Sequence, residues 1–190
     1  MRDIINIKRL TTLEEAELLD QEFAERYGWY RQGDYYHKCL SENNTNKRVT
    51  LIAYYNDSLA GCCHLIYESQ YPYFLDNNIP EINDLNVFSE HRRKHIANRL
   101  FDELELLASK TSTYIGLGVG LYRDYGNAQR MYTSRGYVMD GRGMTYKNVQ
   151  VIPGESVIVD DDLLIYLVKN LKSYCEVQNN ENLYSRNRTI

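Results

Sequence analysis

Five consecutive basic side chains, His91-Arg92-Arg93-Lys94-His95, stand where a helical pattern opens, and their position suggests chemistry. A helix N-terminus carries roughly half a positive charge and disfavours each added cation by ~0.3–1 kcal/mol unless an anion compensates. Free N–H groups of a first turn, joined by extra cations, make a ready phosphate site. A solvated basic face, offset by Glu90, Asp102, Glu103 and Glu105, is the plainer alternative. Just upstream, Glu81 and Asp84 are carboxylates that could take up a proton, or be solvated as most acids are. His64 is a third candidate base, with a structural role as its alternative. Asn127 suits a helix N-cap. Trp29, Tyr30, Tyr35 and Tyr36 either line an acceptor pocket or belong to the core.

The elements that must position these groups follow from periodicity and punctuation. Ile4, Ile5 and Ile7 predict a first strand, and Thr11-Thr12-Leu13-Glu14-Glu15 reads as a capping box opening a helix with Leu18 and Leu19 inward. Residues 21–48 mix aromatics and charges without a clear period and end in an apparent polar loop, Ser41 to Asn46. Val49–Tyr55 and Leu59–Tyr67, joined by Asn56-Asp57-Ser58, predict an antiparallel hairpin. After a loop with Pro72 and Pro80, Ile82–Phe88 predicts a strand that ends where a helix begins at Ser89. Ile96, Leu100, Leu104 and Leu107 give that helix an apolar stripe, widened by Ala97, Phe101 and Ala108. Tyr114–Tyr122 alternates glycines with apolar residues, as in a strand approached closely by backbone or ligand. A helix over about Asn127–Ser134 stops at Gly136, and Tyr137–Met139 and Leu163–Val168 predict further strands. Residues 172–190 are Asn-rich and polar and read as a tail.

With 43% hydrophobic and 25% charged residues the composition is globular. The four cysteines lack paired spacing, which argues against a disulfide framework or a zinc site. The N-terminal residues have neither the long apolar core of an anchor nor a cleavage signal, so the expectation is a reduced, cytoplasmic protein. A net charge of -4 argues against whole-surface binding to nucleic acid.

The segment Leu85-Asn86-Val87-Phe88-Ser89-Glu90-His91-Arg92-Arg93-Lys94-His95-Ile96-Ala97-Asn98-Arg99-Leu100 resembles the signature of the GNAT-type N-acetyltransferase superfamily. Its turn, Arg/Gln-x-x-Gly-x-Gly/Ala, stands here as Arg92-x-x-His95-x-Ala97, with His95 in place of the middle glycine. A second block, Asn127-Ala128-Gln129-Arg130-Met131-Tyr132-Thr133-Ser134-Arg135-Gly136-Tyr137, resembles the family's Asn-to-Gly-Phe helix, and the two occur in the family's order and separation. The resemblance covers residues 4–170.

It implies an α/β (mixed α+β) fold: a mostly antiparallel, twisted central sheet flanked by helices and splayed where acyl-CoA enters. One domain would span residues 1–171, followed by the tail at 172–190. The implied activity is transfer of an acetyl or other short acyl group from acetyl-CoA to a primary amine, by direct attack in a ternary complex without a metal. The implied cofactor contacts are Asn86, Val87, Phe88, Arg92, Arg93, Lys94, His95, Ile96, Ala97, Asn98 and Asn127. Val87 would be the backbone donor to the thioester carbonyl, at a bulge in its strand. Tyr132 maps to the general acid, its phenol of unperturbed pKa ~10 giving a proton to the CoA thiolate, with packing its helix on the sheet as the plainer role. Glu81 occupies the position of the glutamate that some members use as base, and Asp84 is the alternative. Expected partners are acetyl-CoA and the amine, with no nucleic acid or membrane and with a homodimer left open. Two other functions compete: a non-catalytic acyl-CoA-binding module, in which His95 marks a degenerated or specialised site, and a nucleic-acid or anionic-partner module using the patch 91–95, which the overall acidity and the lack of a recognition motif disfavour.

Overall fold

The structure is a computed structural model and describes residues 4–172. In chain order its elements are β1 (Ile5–Arg9), α1 (Leu13–Arg26), α2 (Tyr35–Asn44), β2 (Arg48–Tyr55), β3 (Ser58–Ile66), α3 (Pro72–Asp76), β4 (Glu81–Val87), α4 (Ile96–Ser109), β5 (Tyr114–Gly120), α5 (Gly126–Ser134), β6 (Val138–Tyr146), β7 (Val149–Gln150) and β8 (Leu163–Asn170). They fall into two compact units: residues up to Tyr67 with Ile82–Leu104, and Glu68–Glu81 with the residues from Glu105 on. The fold is mixed α/β, with helices flanking mostly antiparallel strands. β1 pairs antiparallel with β2 and β2 with β3, while β8 pairs antiparallel with both β5 and β6, and β6 with β7.

In the first unit the strands run β1-β2-β3-β4. The hairpin turns at Asn56 and Asp57, both left-handed (φ 47° and 66°), as a tight two-residue connection between twisted strands requires. Thr12 and Glu15 form the expected capping box at the start of α1. Leu19 is fully buried, but Leu18 is exposed: Ala16, Leu19 and Phe23 make the inward stripe instead, because they lie three and four apart on one face. The core of this unit joins those residues to Tyr36, Cys39, Ile52, Cys62 and Phe88. Cys39, Cys62 and Cys63 are free and buried; Cys175 and the expected tail from 173 lie outside the described residues.

Two boundaries differ from the sequence expectation. Ser41–Asn44 is the last turn of α2 rather than loop, since Asn43 is buried and ties the helix to its neighbours: its side-chain amide donates to the Leu10 carbonyl (2.9 Å), and its side-chain oxygen accepts from the Thr50 N–H (3.0 Å). The helix expected from Ser89 begins at Ile96 instead. A single 3₁₀ turn at Ser89–His91 and an irregular turn at Arg92–His95 precede it.

In the second unit the strands run β5-β8-β6-β7. Its apolar core holds Tyr71, Phe74, Ile79 and Tyr166, with the Tyr71 and Tyr166 rings stacked at 3.7 Å. Glu105, fully buried, accepts from Lys169 (2.7 Å), Arg135 (3.0 Å) and the Tyr137 hydroxyl (3.2 Å). A carboxylate so placed requires these partners, because a buried unpaired charge is costly.

Candidate active site

Arg93 (φ 63°) and His95 (φ 61°) both adopt the left-handed conformation, with Lys94 between them on the ordinary side. Alternation of this kind turns successive N–H groups inward to form an anion-binding concavity. Glycine adopts the left-handed region freely, while for other residues it costs ~1–2 kcal/mol. Histidine is among the types more often tolerated there, so His95 can hold this conformation without a glycine.

The cations of this turn are not neutralised by the acids nearby. Glu90 pairs with Arg26 (3.0 Å), Glu103 with Arg99 (3.8 Å), and Glu105 with Arg135 and Lys169. Arg92 donates from Nε to the Val87 carbonyl (3.1 Å), and the Lys94 ammonium lies 4.2 Å from the centre of the Tyr55 ring. Among the described residues none of Arg92, Arg93 and Lys94 forms an ion pair. Nδ1 of His91 is buried without a hydrogen-bond partner among them. Three unpaired cations at the N-terminal end of α4 suit a polyanion. Phe88 and Ile96 lie in the core, Phe88 fully enclosed and Ile96 1% exposed, and the Phe88 N–H is spent on the Ala60 carbonyl (2.9 Å). Both side chains are enclosed, so these two positions present backbone rather than side chain.

β4 departs from regular pleating at Asp84, whose φ of 49° is left-handed, the mark of a bulged strand. Gly61 on β3 makes the neighbouring approach possible, since a Cβ there would stand 2.0 Å from the Asn86 carbonyl oxygen. A glycine inside a strand pattern signals such an approach, and at Gly61 that signal passed unread.

Beside this strand lies a cavity of about 210 Å³ lined by Phe23, Trp29, Tyr30, Tyr35, Tyr36, Asp84 and Asn86. The four aromatics singled out in the sequence thus meet Asp84 in one place. Asp84 is exposed and accepts a hydrogen bond from the Tyr35 hydroxyl. Behind Tyr35, His64 is fully buried, its Nε2 3.4 Å from the same hydroxyl and its Nδ1 2.8 Å from the Thr50 hydroxyl. Burial lowers the His64 pKa to about 4 against the pull of Asp84, so the imidazole is neutral at physiological pH. With the Tyr35 proton given to Asp84, His64 donates from Nε2 and accepts at Nδ1 from Thr50. The chain of donors ends on the Asp84 carboxylate, and His64 supports the site from behind without reaching the cavity.

Glu81 belongs to the second unit, where it is 6% exposed and accepts from the Ser69 hydroxyl. It does not line the cavity. Tyr132 is buried on α5, its ring 6.3 Å from that of Tyr137. Asn127 does not cap α5: the cap position is Tyr125, and the Asn127 side-chain oxygen accepts from Arg130 (2.7 Å). The space beside the β5 glycines is filled by rings, since a Cβ on Gly116 or Gly120 would meet Phe74 at 2.2 Å or Tyr125 at 2.4 Å. Their role is packing. Among the described residues no helix is long and apolar enough to cross a membrane, and no three His, Cys, Asp or Glu side chains are grouped to hold a metal ion.

No curated protein matches the chain. Among solved structures it is similar to an aminoglycoside 6'-N-acetyltransferase complexed with coenzyme A (19% identity, TM-score 0.60, covering 88% of this chain and 97% of that one). It is also similar to a spermidine/spermine N-acetyltransferase from Vibrio cholerae (13%, 0.60, 90% and 95%) and to a GNAT-family acetyltransferase from Staphylococcus aureus (19%, 0.57, 89% and 100%). At these identities the likeness is one of fold. The sequence profile of the acetyltransferase (GNAT) family matches residues 11–137, and by that match this chain is a member of the GNAT acetyltransferase family.

Proposed function

We propose that this protein transfers an acetyl or other short acyl group from acetyl-CoA to a primary amine by direct attack in a ternary complex. The observation that carries the reading is the turn Arg92–His95, with three cations unpaired among the described residues and two left-handed residues at the start of α4, in the same unit as an aromatic cavity with one exposed carboxylate. Arg92, Arg93 and Lys94 hold the pyrophosphate, assisted by the first N–H groups of α4 at Ile96, Ala97 and Asn98 and by the His95 imidazole. Asn86 and Val87 lie on the strand between turn and cavity, and the Val87 N–H polarises the acyl carbonyl; one such donor contributes ~2.7–4 kcal/mol in acyl transfer. Asn127 contacts the pantetheine arm.

Asp84 is the base of this scheme rather than Glu81, because it is the carboxylate that lines the cavity. It takes a proton from the bound ammonium, freeing the nitrogen lone pair for attack on the carbonyl carbon. As the C–N bond forms and the C–S bond breaks, Tyr132 gives its phenolic proton to the departing thiolate, and the second proton lost by the nitrogen passes to solvent, from which the phenolate is reprotonated. The aminoglycoside and spermidine enzymes of like fold act on amines by their names, which favours an amine acceptor here.

An acceptor screen with acetyl-CoA, following thiol release, tests the reading. Release with at least one amine is expected, and Asp84→Asn should lower turnover by ~10²–10⁴-fold. Tight CoA binding with no release on any amine would establish the non-catalytic module instead.

A further inference from the structure

We infer that the acceptor is a small monoamine with an apolar, ring-sized body, an aryl- or cycloalkyl-alkylamine, rather than a polyamine, an aminoglycoside or an amino acid. This rests on the proposed acetyl transfer for its chemistry but on the cavity for its substance. Five of the seven lining residues are aromatic. Their rings form a connected wall: Phe23 and Tyr30 are 5.7 Å apart, Trp29 and Tyr30 6.0 Å, Tyr30 and Tyr36 6.1 Å, and Tyr35 and Tyr36 5.1 Å. Such a wall offers faces and edges to an apolar body. An apolar cavity of ~150 Å³ takes up a benzene molecule. One of about 210 Å³ therefore has room for a ring and a short aminoalkyl arm.

The polar groups count the charges. Asp84 is the single carboxylate of the lining. The nearest rival, Asp20, is buried behind the wall and committed to the Tyr30 hydroxyl and the Gly33 N–H (3.2 Å). One ammonium can thus be neutralised on Asp84, with Asn86 as a second polar partner. A second or third ammonium held inside the cavity would have only ring faces, and a cation over a ring gains less than an unpaired charge loses on leaving water. No lysine, arginine or histidine lines the cavity, so the carboxylate of an amino acid would enter unpaired. Charge count and lining chemistry together select a monocation with an apolar body.

Trp29 is the chain's single tryptophan, and its fluorescence reports the cavity directly. Titrating the intact protein with 2-phenylethylamine, spermidine and L-phenylalanine compares one charge on a ring, several charges without a ring, and the same ring with an added carboxylate. The expected result is a saturable change with 2-phenylethylamine at a Kd about 100-fold below those of the other two, weakened about tenfold or more by Asp84→Asn. Equal or tighter binding of spermidine or phenylalanine overturns the inference, as does no response to any of the three. Turnover separates the two claims. Selective binding of 2-phenylethylamine without acetylation would leave standing that the cavity takes this class of ligand and remove the proposed activity. Preferred acetylation of spermidine would do the reverse.

Discussion

At the scale of single residues, the site depends on groups whose ordinary properties are changed by burial. His64 has its pKa depressed from 6.5 to about 4, chiefly by desolvation, so the folded protein resists the protonation that the unfolded chain accepts. Between those two values the unfolded state binds more protons, and stability therefore rises with pH. The contribution is fully present above pH 6.5 and is lost as pH falls towards 4, by up to ~3 kcal/mol. Urea unfolding at pH 7 and pH 4.5 should show this loss in the wild type and a flatter dependence in His64→Gln. Tyr132 poses a different question, whether its phenol donates a proton or holds a packed position. Tyr132→Phe keeps the ring and removes the hydroxyl. It should lower turnover by ~10²–10⁴-fold with little change in acetyl-CoA binding, and abolish the falling alkaline limb of the rate profile. Near-wild-type turnover with lost stability would instead make the hydroxyl a buried structural bond.

At the scale of elements, the β3–β4 pair and the turn into α4 shape the candidate site through backbone conformation. Gly61 has a φ of 151° and no room for a Cβ against the Asn86 carbonyl. Gly61→Ala combines overpacking at ~1–3 kcal/mol with a backbone penalty of similar size. Chemical denaturation should show a loss of roughly 2–5 kcal/mol, and any folded fraction should have displaced Asn86 and Val87. His95→Gly points the other way. At φ 61° glycine carries no Cβ penalty, so stability should hold or rise by up to ~1 kcal/mol, with CoA affinity preserved or tightened. A marked fall in calorimetric CoA affinity would show that the imidazole itself is a contact.

For the whole molecule, the proposed binding at the turn would be linked to global stability. A ligand that binds only the folded state at 100 times its Kd stabilises by ~2.7 kcal/mol, and each kcal/mol moves the melting temperature by roughly 2–4 °C at this size. CoA should raise the melting temperature accordingly. The effect should shrink with added salt and be largely lost in the double variant Arg92→Ala, Arg93→Ala. An undiminished shift in that variant would remove the turn from the site. The net charge of -4 makes this a local property, since the protein as a whole repels an anion that the turn attracts.

Features encoded locally were legible in the sequence alone. The Thr12–Glu15 capping box, the Asn56-Asp57 turn, the apolar stripe of α4 and the two family blocks each depend on a few residues within a turn or two of one another. Local spacing failed where distant partners override propensity. The polar end of α2 is held by Asn43 bonds to Leu10 and Thr50, and the basic run unwinds into left-handed turns before α4 begins. It could not distinguish Glu81 from Asp84 either, since both are acids on one strand three residues apart. Only the tertiary structure separated them: Glu81 is buried against Ser69, while Asp84 meets Tyr35 from 49 residues away at an aromatic cavity. A carboxylate's type is written in the chain, but its solvation and its partners depend on groups brought together only by folding, and these decide whether it can take a proton from a substrate.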